Sequence, residues 1–214
     1  MIGYASRTGT RRNLDALRRA GWRLMVSAKG PLRPERFRYA LDNGAWTAFQ
    51  RGEPFDVPAF EKAVALLGSG ADWIVLPDIV AGGLASLRFS LDWLDALRNR
   101  PELRDAQYLL AVQNGMEPPH VAAVVGPEIG IFVGGDTPWK LATMATWARL
   151  AHERGAICHV GRVNTARRIR LCAAAAGADS FDGSGVSRFA SALPPLDLAR
   201  RQPDIEAWLA GQRP

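Results

Sequence analysis

The stretch YLLAVQNGMEPPHVAAVVGPEIGIFVGGD, residues 108–136, carries the pattern that decides the fold. An apolar run of strand-forming residues ends in QNG, a segment with helical spacing follows, and a second apolar run ends in GGD. A strand, a helix and a strand in this order are typical of a β-α-β unit, in which the two strands are parallel. The stretch therefore indicates an α/β fold.

The same alternation recurs along the whole chain. Eight strands are predicted at Ile2–Ala5, Arg23–Ala28, Arg38–Asp42, Trp73–Asp78, Tyr108–Gln113, Gly130–Gly134, Ile157–Gly161 and Ser180–Asp182. Helices are predicted at Arg11–Ala20, Val57–Leu67, Ser86–Arg98, Pro118–Val125, Pro138–Arg154, Thr165–Ala176 and Pro203–Ala210. Eight such units predict a (β/α)8 barrel of the TIM type, although a doubly wound open sheet fits the same alternation.

Local signals refine this picture. Asp56 and Asn164 are predicted to cap the helices that follow them, and Gly155 is predicted to end another helix. Residues 29–37 contain Pro31 and Pro34 and are too few for a crossover helix. We therefore expect no full crossover helix there and a barrel that is trimmed or irregular at that connection.

Length and composition predict one globular domain over residues 1–214, with 202–214 as a closing helix and tail. Hydrophobic residues make up 48% of the 214 residues and charged residues 22%, which are ordinary values for a folded domain. The sequence contains no apolar run long enough to span a bilayer and no pattern of a signal peptide at its start, so we expect no membrane association and a cytoplasmic location.

The two cysteines, Cys158 and Cys172, are too few for a disulfide scaffold or a four-cysteine zinc site. The three histidines do not stand at ligand spacing from either cysteine. We therefore expect no zinc subdomain, no bound metal and no cofactor.

The charge balance points to a polyanionic partner. The chain has 27 Lys and Arg against 21 Asp and Glu, a net charge of +6, and lysine occurs only at Lys29, Lys62 and Lys140. The planar arginine fork binds two phosphate oxygens at once. An arginine bias of this kind also arises from a GC-rich genome, so composition alone leaves both explanations open.

Polar residues stand where the predicted strands end. They are Asp42 in LDNGAW, Asp78 in LPDIVAGG, Gln113 in AVQNGM, Gly134–Asp136 in VGGD, Arg162 in HVGRVN and Asp182 in SFDGSG. In a parallel barrel all these strand ends share one rim, where such enzymes place their chemistry. Capping alone explains any single aspartate, but three at one rim predict an active site.

The order of these motifs resembles the tRNA-guanine transglycosylases and, most closely, the short phage and bacterial enzymes that insert 7-deazaguanines into DNA. The resemblance runs from about Arg38 to Arg188. LDNGAW resembles the D-S-G-G-[FY]-Q loop, and GADSFDGSGVSRF resembles the segment that carries the nucleophilic aspartate. LPDIVAGG, AVQNGM and IFVGGD resemble the segments that bind the base, and HVGRVNTARRI resembles a stretch with a basic residue near the phosphates.

The resemblance implies a role for each residue. Asp182 is the expected nucleophile and Asp42 the expected general acid and base. Asp78, Gln113, Gly134 and Gly135 are the expected base-binding residues. The expected phosphate contacts are Arg7, Arg162, Arg168 and Arg188.

The implied reaction exchanges guanine for a 7-deazaguanine, the second substrate, through a covalent aspartyl intermediate. Because the chain lacks the zinc subdomain of the tRNA enzymes, the resemblance favours DNA over tRNA as the polymer. Whether the protein forms a homo-oligomer or acts with accessory DNA-modification proteins stays open.

Three other functions fit parts of the pattern. The first is base exchange or hydrolysis on free nucleosides or nucleotides. The second is a phosphate-binding metabolic barrel with VGGD and HVGR as its phosphate loops. The third is a DNA-binding module without catalysis, which leaves the three rim aspartates unexplained.

Overall fold

Eight parallel strands close into a barrel in a computed structural model of the chain, which describes residues 1–8 and 10–201. The strands are β1 (Ile2–Ser6), β2 (Arg23–Ser27), β3 (Tyr39–Asp42), β4 (Ile74–Val75), β5 (Tyr108–Val112), β6 (Ile129–Val133), β7 (Cys158–Val160) and β8 (Ser180–Gly183). Each strand pairs with its sequence neighbours, and β1 closes the ring on β8 with Ile2 opposite Ser180. The TIM-type barrel is thus confirmed, and the open sheet is wrong.

Helices cover the outside of the barrel. The described α-helices are α1 (Arg11–Arg19), α2 (Ala45–Gln50), α3 (Val57–Leu67), α4 (Leu84–Arg98), α5 (Pro118–Val121), α6 (Thr137–Glu153), α7 (Ala166–Arg170), α8 (Gly185–Arg188) and α9 (Leu193–Arg201). Residues 28–38, between β2 and β3, contain no helix, as the two prolines predicted. None of the helices in the described ranges is long and apolar enough to cross a bilayer.

Several predicted boundaries need correction. Strand β4 covers only Ile74–Val75, because Pro77 has no N–H with which to continue the ladder beyond Leu76. Helix α5 ends at Val121, ahead of the β-branched Val124 and Val125, which disfavour helix.

The predicted helix 165–176 also differs in detail. It begins at Ala166 and finishes as a π-helical turn over Leu171–Ala175. Its cap is Thr165 rather than Asn164, whose side chain instead accepts a bond from the Gly185 N–H at 2.9 Å. The prediction of Asp56 as a cap and of Gly155 as a helix end is confirmed. The predicted helix Pro203–Ala210 lies outside the described residues.

Two apolar layers hold the barrel together. The larger layer fills the space between strands and helices, and the smaller one fills the inside of the barrel around Tyr4, Trp73 and Leu109. At the N-terminal end of the barrel, Asp72 accepts hydrogen bonds from the Tyr4 hydroxyl at 3.0 Å and from the guanidinium groups of Arg23 and Arg38 at 2.9 and 2.8 Å. The chemistry predicted from the sequence lies at the opposite end.

Candidate active site

A cavity of about 960 Å³ opens at the C-terminal ends of the strands. Its lining includes all six residues predicted for catalysis and base binding, Asp42, Asp78, Gln113, Gly134, Gly135 and Asp182, and three of the four predicted phosphate contacts, Arg7, Arg162 and Arg188. Arg168 lies on α7 and is not part of this lining. The structure therefore brings the predicted chemical groups together in one space.

The Asp182 carboxylate in the cavity is held by two hydrogen bonds. Asp182 is 9% exposed at the end of β8, and its Oδ1 accepts the Arg162 backbone N–H at 3.0 Å. The same oxygen lies 3.1 Å from His159 Nε2. Two donors on one oxygen fix the direction in which the carboxylate points.

His159 is a positioning residue that the sequence did not reveal. It is fully buried inside the barrel, stacks on Phe132 at 4.8 Å, and its Nδ1 lies 2.8 Å from Ser180 Oγ. Burial lowers the pKa of the imidazole, which keeps the ring neutral. Because a carboxylate only accepts, Nε2 carries the ring proton toward Asp182 and Nδ1 accepts from Ser180.

Asp42 has a carboxyl poised to exchange a proton near neutral pH. It ends β3 and is half-buried. Burial is the largest cause that raises its pKa, to about 6, and the negative charges of Asp182 and Asp78 raise it further against the opposing effect of the Ser27 hydroxyl. A carboxyl with such a pKa is suited to general acid and base catalysis.

Asp78 is held by Asn43, the residue that follows Asp42 in LDNGAW. The buried Asn43 donates from Nδ2 to Asp78 Oδ1 and to the Leu76 carbonyl, both at 2.7 Å, and its Oδ1 accepts from the Ala45 N–H at 2.9 Å. Burial raises the pKa of Asp78 to about 6, while Asn43 and Arg162 lower it. Asn43 thus orients the carboxyl.

The loop after β4, which carries Asp78, is anchored at several points. Ser90 Oγ donates to the Pro77 carbonyl at 2.8 Å, and Ser86 Oγ accepts from the Ile79 N–H at 3.0 Å. Gln113 Nε2 donates to the Ile79 carbonyl at 3.0 Å and leaves its own carbonyl oxygen for a ligand. The predicted base-binding residues Asp78 and Gln113 therefore support each other's placement.

The two glycines of VGGD play different parts. The Gly134 N–H donates to the Val112 carbonyl at 2.8 Å and is used by the sheet. Gly135 has a φ of +68°, and a Cβ there would lie 2.6 Å from the Trp139 ring. Only Gly135 therefore keeps an N–H for a ligand, and glycine is required at that position.

Arg162 contacts three other residues that line the cavity. Its φ is +58°, in the left-handed region, which directs its N–H at Asp182. Its guanidinium donates to the Gly135 carbonyl and lies 3.9 Å from the ring centre of Trp46. Burial lowers the pKa of Arg162, but nearby Asp182 and Asp78 counteract it. Arg162, predicted to contact phosphate, thus also holds neighbouring segments of the cavity together.

The aromatic residues within and beside the rim motifs lie in different surroundings. Trp46 lines the cavity and is 37% exposed, and it stacks with the neighbouring Phe49 at 5.7 Å. Phe181 is fully buried against Trp22, and Trp139 packs on Trp147, so these two belong to the core. Within the described residues, no group of three or more His, Cys, Asp or Glu is placed to hold a metal ion.

Comparison with known proteins relates this geometry to a fold. No family model and no curated protein matches the sequence. Among solved structures, a citrate lyase from Burkholderia xenovorans LB400 matches with a TM-score of 0.59 and 12% identity, over 99% of this chain and 82% of that one.

Two further structures match in the same way. Protein CitE from Mycobacterium tuberculosis, solved with magnesium and acetate, matches with a TM-score of 0.55 and 15% identity over 99% and 95% of the two chains. Phosphoribosyl anthranilate isomerase from Thermococcus kodakaraensis matches with a TM-score of 0.51 and 13% identity over 94% and 99%. The likeness is one of fold.

Proposed function

We propose that the protein is an enzyme that exchanges a guanine in DNA for a 7-deazaguanine through a glycosyl-aspartyl intermediate. One observation carries the proposal: Asp42, Asp78 and Asp182 line one cavity in three different environments. Asp182 accepts two N–H donors, Asp42 has a pKa of about 6, and Asp78 is oriented by Asn43. Carboxyls with different hydrogen-bond partners in one cavity suit separate roles in one reaction.

In the first half of the reaction, the bond between C1′ of the sugar and N9 of guanine breaks while a bond forms between C1′ and a carboxylate oxygen of Asp182. The electron pair of the broken bond leaves with the purine, and the protonated Asp42 supplies the proton that neutralises it. Oδ1 of Asp182 stays bound to His159 and Arg162, so Oδ2 is the oxygen that attacks.

The second half is the reverse process with a different base. The ionised Asp42 takes the N9 proton of the incoming 7-deazaguanine, whose nitrogen then attacks C1′ and releases the Asp182 carboxylate. The enzyme returns to its starting protonation state, and neither a metal nor a redox group takes part. Exchange requires that the second base reaches the intermediate before water does.

Asp78 provides the selectivity for guanine. An ionised carboxylate accepts two hydrogen bonds from N1–H and the exocyclic amine, a pair of donors that guanine and its 7-deaza analogues share and adenine lacks. Burial raises the pKa of Asp78 in the free enzyme, and these two donors would lower it again. A base without them would leave a desolvated carboxylate unpaired, which costs several kcal/mol.

A metabolic barrel acting on a small phosphorylated molecule is the second candidate, and the enzymes with similar folds favour it. Its phosphate would bind at the VGGD loop and the start of α6. There, however, the Asp136 side chain already accepts the Trp139 N–H at 2.9 Å and the Asn114 amide at 2.8 Å. A carboxylate in that place repels phosphate, so the local geometry favours glycosyl transfer.

Incubation with labelled 7-cyano-7-deazaguanine and DNA, tRNA or free deoxyguanosine tests the proposal. We expect label in DNA and, after denaturation, a covalent adduct between protein and oligonucleotide. Asp182→Ala should abolish the adduct and reduce exchange at least about a thousandfold. Asp95→Asn, which changes an exposed carboxylate on α4, is the matched control and should behave as the unmodified protein.

Absence of both label and adduct with all three acceptors would overturn the proposal. Turnover of a small phosphorylated compound together with tight binding of inorganic phosphate would instead establish the metabolic candidate. In that case Asp136→Asn should strengthen phosphate binding, because it removes the competing negative charge.

A further inference from the structure

A second hollow of about 790 Å³ adjoins the active-site cavity. Its walls come from the helix-free connection between β2 and β3, from Arg51 after α2, and from α3. Arg7, Gly30 and Pro31 line both hollows. The second hollow is therefore a groove that leads away from the active site on the side where the barrel lacks a crossover helix.

The groove carries positive charge that the described part of the chain does not neutralise. Arg33, Arg51 and Lys62 line it, are exposed, and form no ion pair within residues 1–8 and 10–201. Its other two cations are compensated: Lys29 pairs with Asp56 and Glu53, and Arg7 pairs with Glu35. Three unpaired cations beside a catalytic cavity attract an anionic ligand with more than one charge.

Helix α2 supplies aromatic side chains to the cavity and leads to a residue of the groove. Phe49 of α2 is 52% exposed, lines the cavity mouth, and stacks on Trp46 with an angle of 28° between the rings. Arg51 of the groove follows two residues later. Exposed stacking surfaces next to unpaired cations are the features by which proteins bind unpaired nucleic acid strands.

We propose that this groove binds the unpaired DNA strand on one side of the target nucleotide. The neighbouring base stacks on Phe49, and the following phosphates contact Arg51, Arg33 and Lys62. This inference rests on the proposed function and deepens it, because it makes a polymer, rather than a free nucleoside, the substrate of the site. Arg51 and Phe49 were not among the residues singled out from the sequence.

Binding of a short fluorescein-labelled single-stranded DNA with one central guanine, measured by anisotropy at several salt concentrations, tests the groove without catalysis. The triple variant Arg33→Ala, Arg51→Ala, Lys62→Ala should lower the slope of log affinity against log salt by about two, since each contact with a single strand contributes about 0.7. Arg104→Ala removes an exposed cation at the opposite end of the barrel and should leave the slope unchanged.

The stacking contact is tested separately. Phe49→Ala should weaken binding of the same oligonucleotide about tenfold with little change in the salt slope. Leu198→Ala, which truncates an exposed apolar side chain on α9, is its control and should bind normally. Neither variant alters the core, so both should fold.

The outcomes separate this inference from the proposed function. If base exchange occurs but the groove variants bind the oligonucleotide as the unmodified protein does, or if only duplex DNA binds, the groove proposal is wrong and the transferase stands. If the groove variants lose binding while no base exchange is found, the proposal of strand binding in the groove is supported and the proposal of guanine exchange is wrong. With both correct, the variants lose exchange into oligonucleotide and keep any exchange into free deoxyguanosine.

Discussion

At the scale of single residues, the site separates two neighbouring carboxyls by their surroundings. Asp182 receives two N–H donors, whereas Asp42 is desolvated and lies within reach of the charges of Asp182 and Asp78. The first arrangement fixes the direction of the Asp182 carboxylate, and the second raises the pKa of Asp42 to about 6. Burying Asp42 costs folding stability, because a desolvated carboxyl is unfavourable in its ionised form.

Replacing Asp42→Asn should therefore stabilise the protein and remove its activity. The folded-state pKa of about 6 exceeds the ordinary value of 3.8, so the folded state holds the proton more tightly, and the contribution of Asp42 to stability falls as pH rises from about 4 to about 6. Asparagine does not titrate. Urea unfolding should show the variant about 2 kcal/mol more stable above pH 7, with the difference vanishing near pH 4.

The same measurement on Asp95→Asn gives the control, because that carboxylate is exposed and its replacement should change stability little at any pH. A variant at Asp42 that is less stable than the unmodified protein above pH 7 would contradict the assignment of a desolvated charge.

The site residues at strand ends could be predicted from the sequence, whereas residues that hold a site carboxylate by a hydrogen bond were missed. Asp42, Asp78, Gln113 and Asp182 could be placed because parallel strands bring their ends to one rim. The role of His159 depends on its contact with Asp182 on the neighbouring strand, and no spacing within one segment encodes that contact. Asn43 could have been noticed, since it replaces a smaller residue next to a site carboxylate.

At the scale of elements, the end of β8 and the loop after β7 form one unit. The Val163 N–H donates to the Asp182 carbonyl at 2.7 Å, and a Cβ on Gly183 would lie only 2.5 Å from the Val163 carbonyl oxygen. The close approach of the two backbones sets the distance between Asp182 and Arg162. Glycine after Asp182 is thus a requirement of packing.

Gly183→Ala should push these two segments apart. We expect a loss of about 2 kcal/mol in unfolding free energy from overpacking and a larger effect on turnover than on binding of the base, because Asp182 moves while Asp78 does not. Gly126→Ala is the control, since a Cβ there meets nothing within 4 Å. Equal loss of turnover in both variants would exclude the proposed coupling.

The positions of the eight strands were predictable from their apolar runs, but their ends and the short helices were not. Strand β4 is short because of Pro77, and α2 and α8 are too short to show a helical period. The cap of α7 was missed because Asn164 and Thr165 both have capping side chains, and only the contact of Asn164 with Gly185 decides between them.

At the scale of the whole molecule, the aspartates at the two ends of the barrel lie in different surroundings. Asp72 binds Tyr4, Arg23 and Arg38 at the N-terminal end, where two arginines compensate its charge, whereas burial raises the pKa of Asp42 and Asp78 at the C-terminal end. In this fold the N-terminal end generally serves stability and the C-terminal end holds the active site.

Asp72→Ala should lower the unfolding free energy by about 3 kcal/mol, because it leaves Arg23 and the Tyr4 hydroxyl without their partner inside the barrel. Arg38→Ala removes only an arginine that is 69% exposed and should cost about 0.5 kcal/mol. Thermal or urea unfolding measures both. If both variants lost the same unfolding free energy, the buried hydrogen bonds of Asp72 would contribute no more than the exposed Arg38, and the prediction would be wrong.

The missing helix between β2 and β3 has a consequence for how a ligand arrives. In a fully wrapped barrel a molecule enters the rim from above, along the barrel axis, so its size is limited by the opening. Here the groove beside the helix-free connection adjoins the cavity, so the proposed strand would lie across the rim with both of its ends in solvent. Under the proposed function, one nucleotide of a long strand enters the cavity while both ends of the strand stay outside the protein.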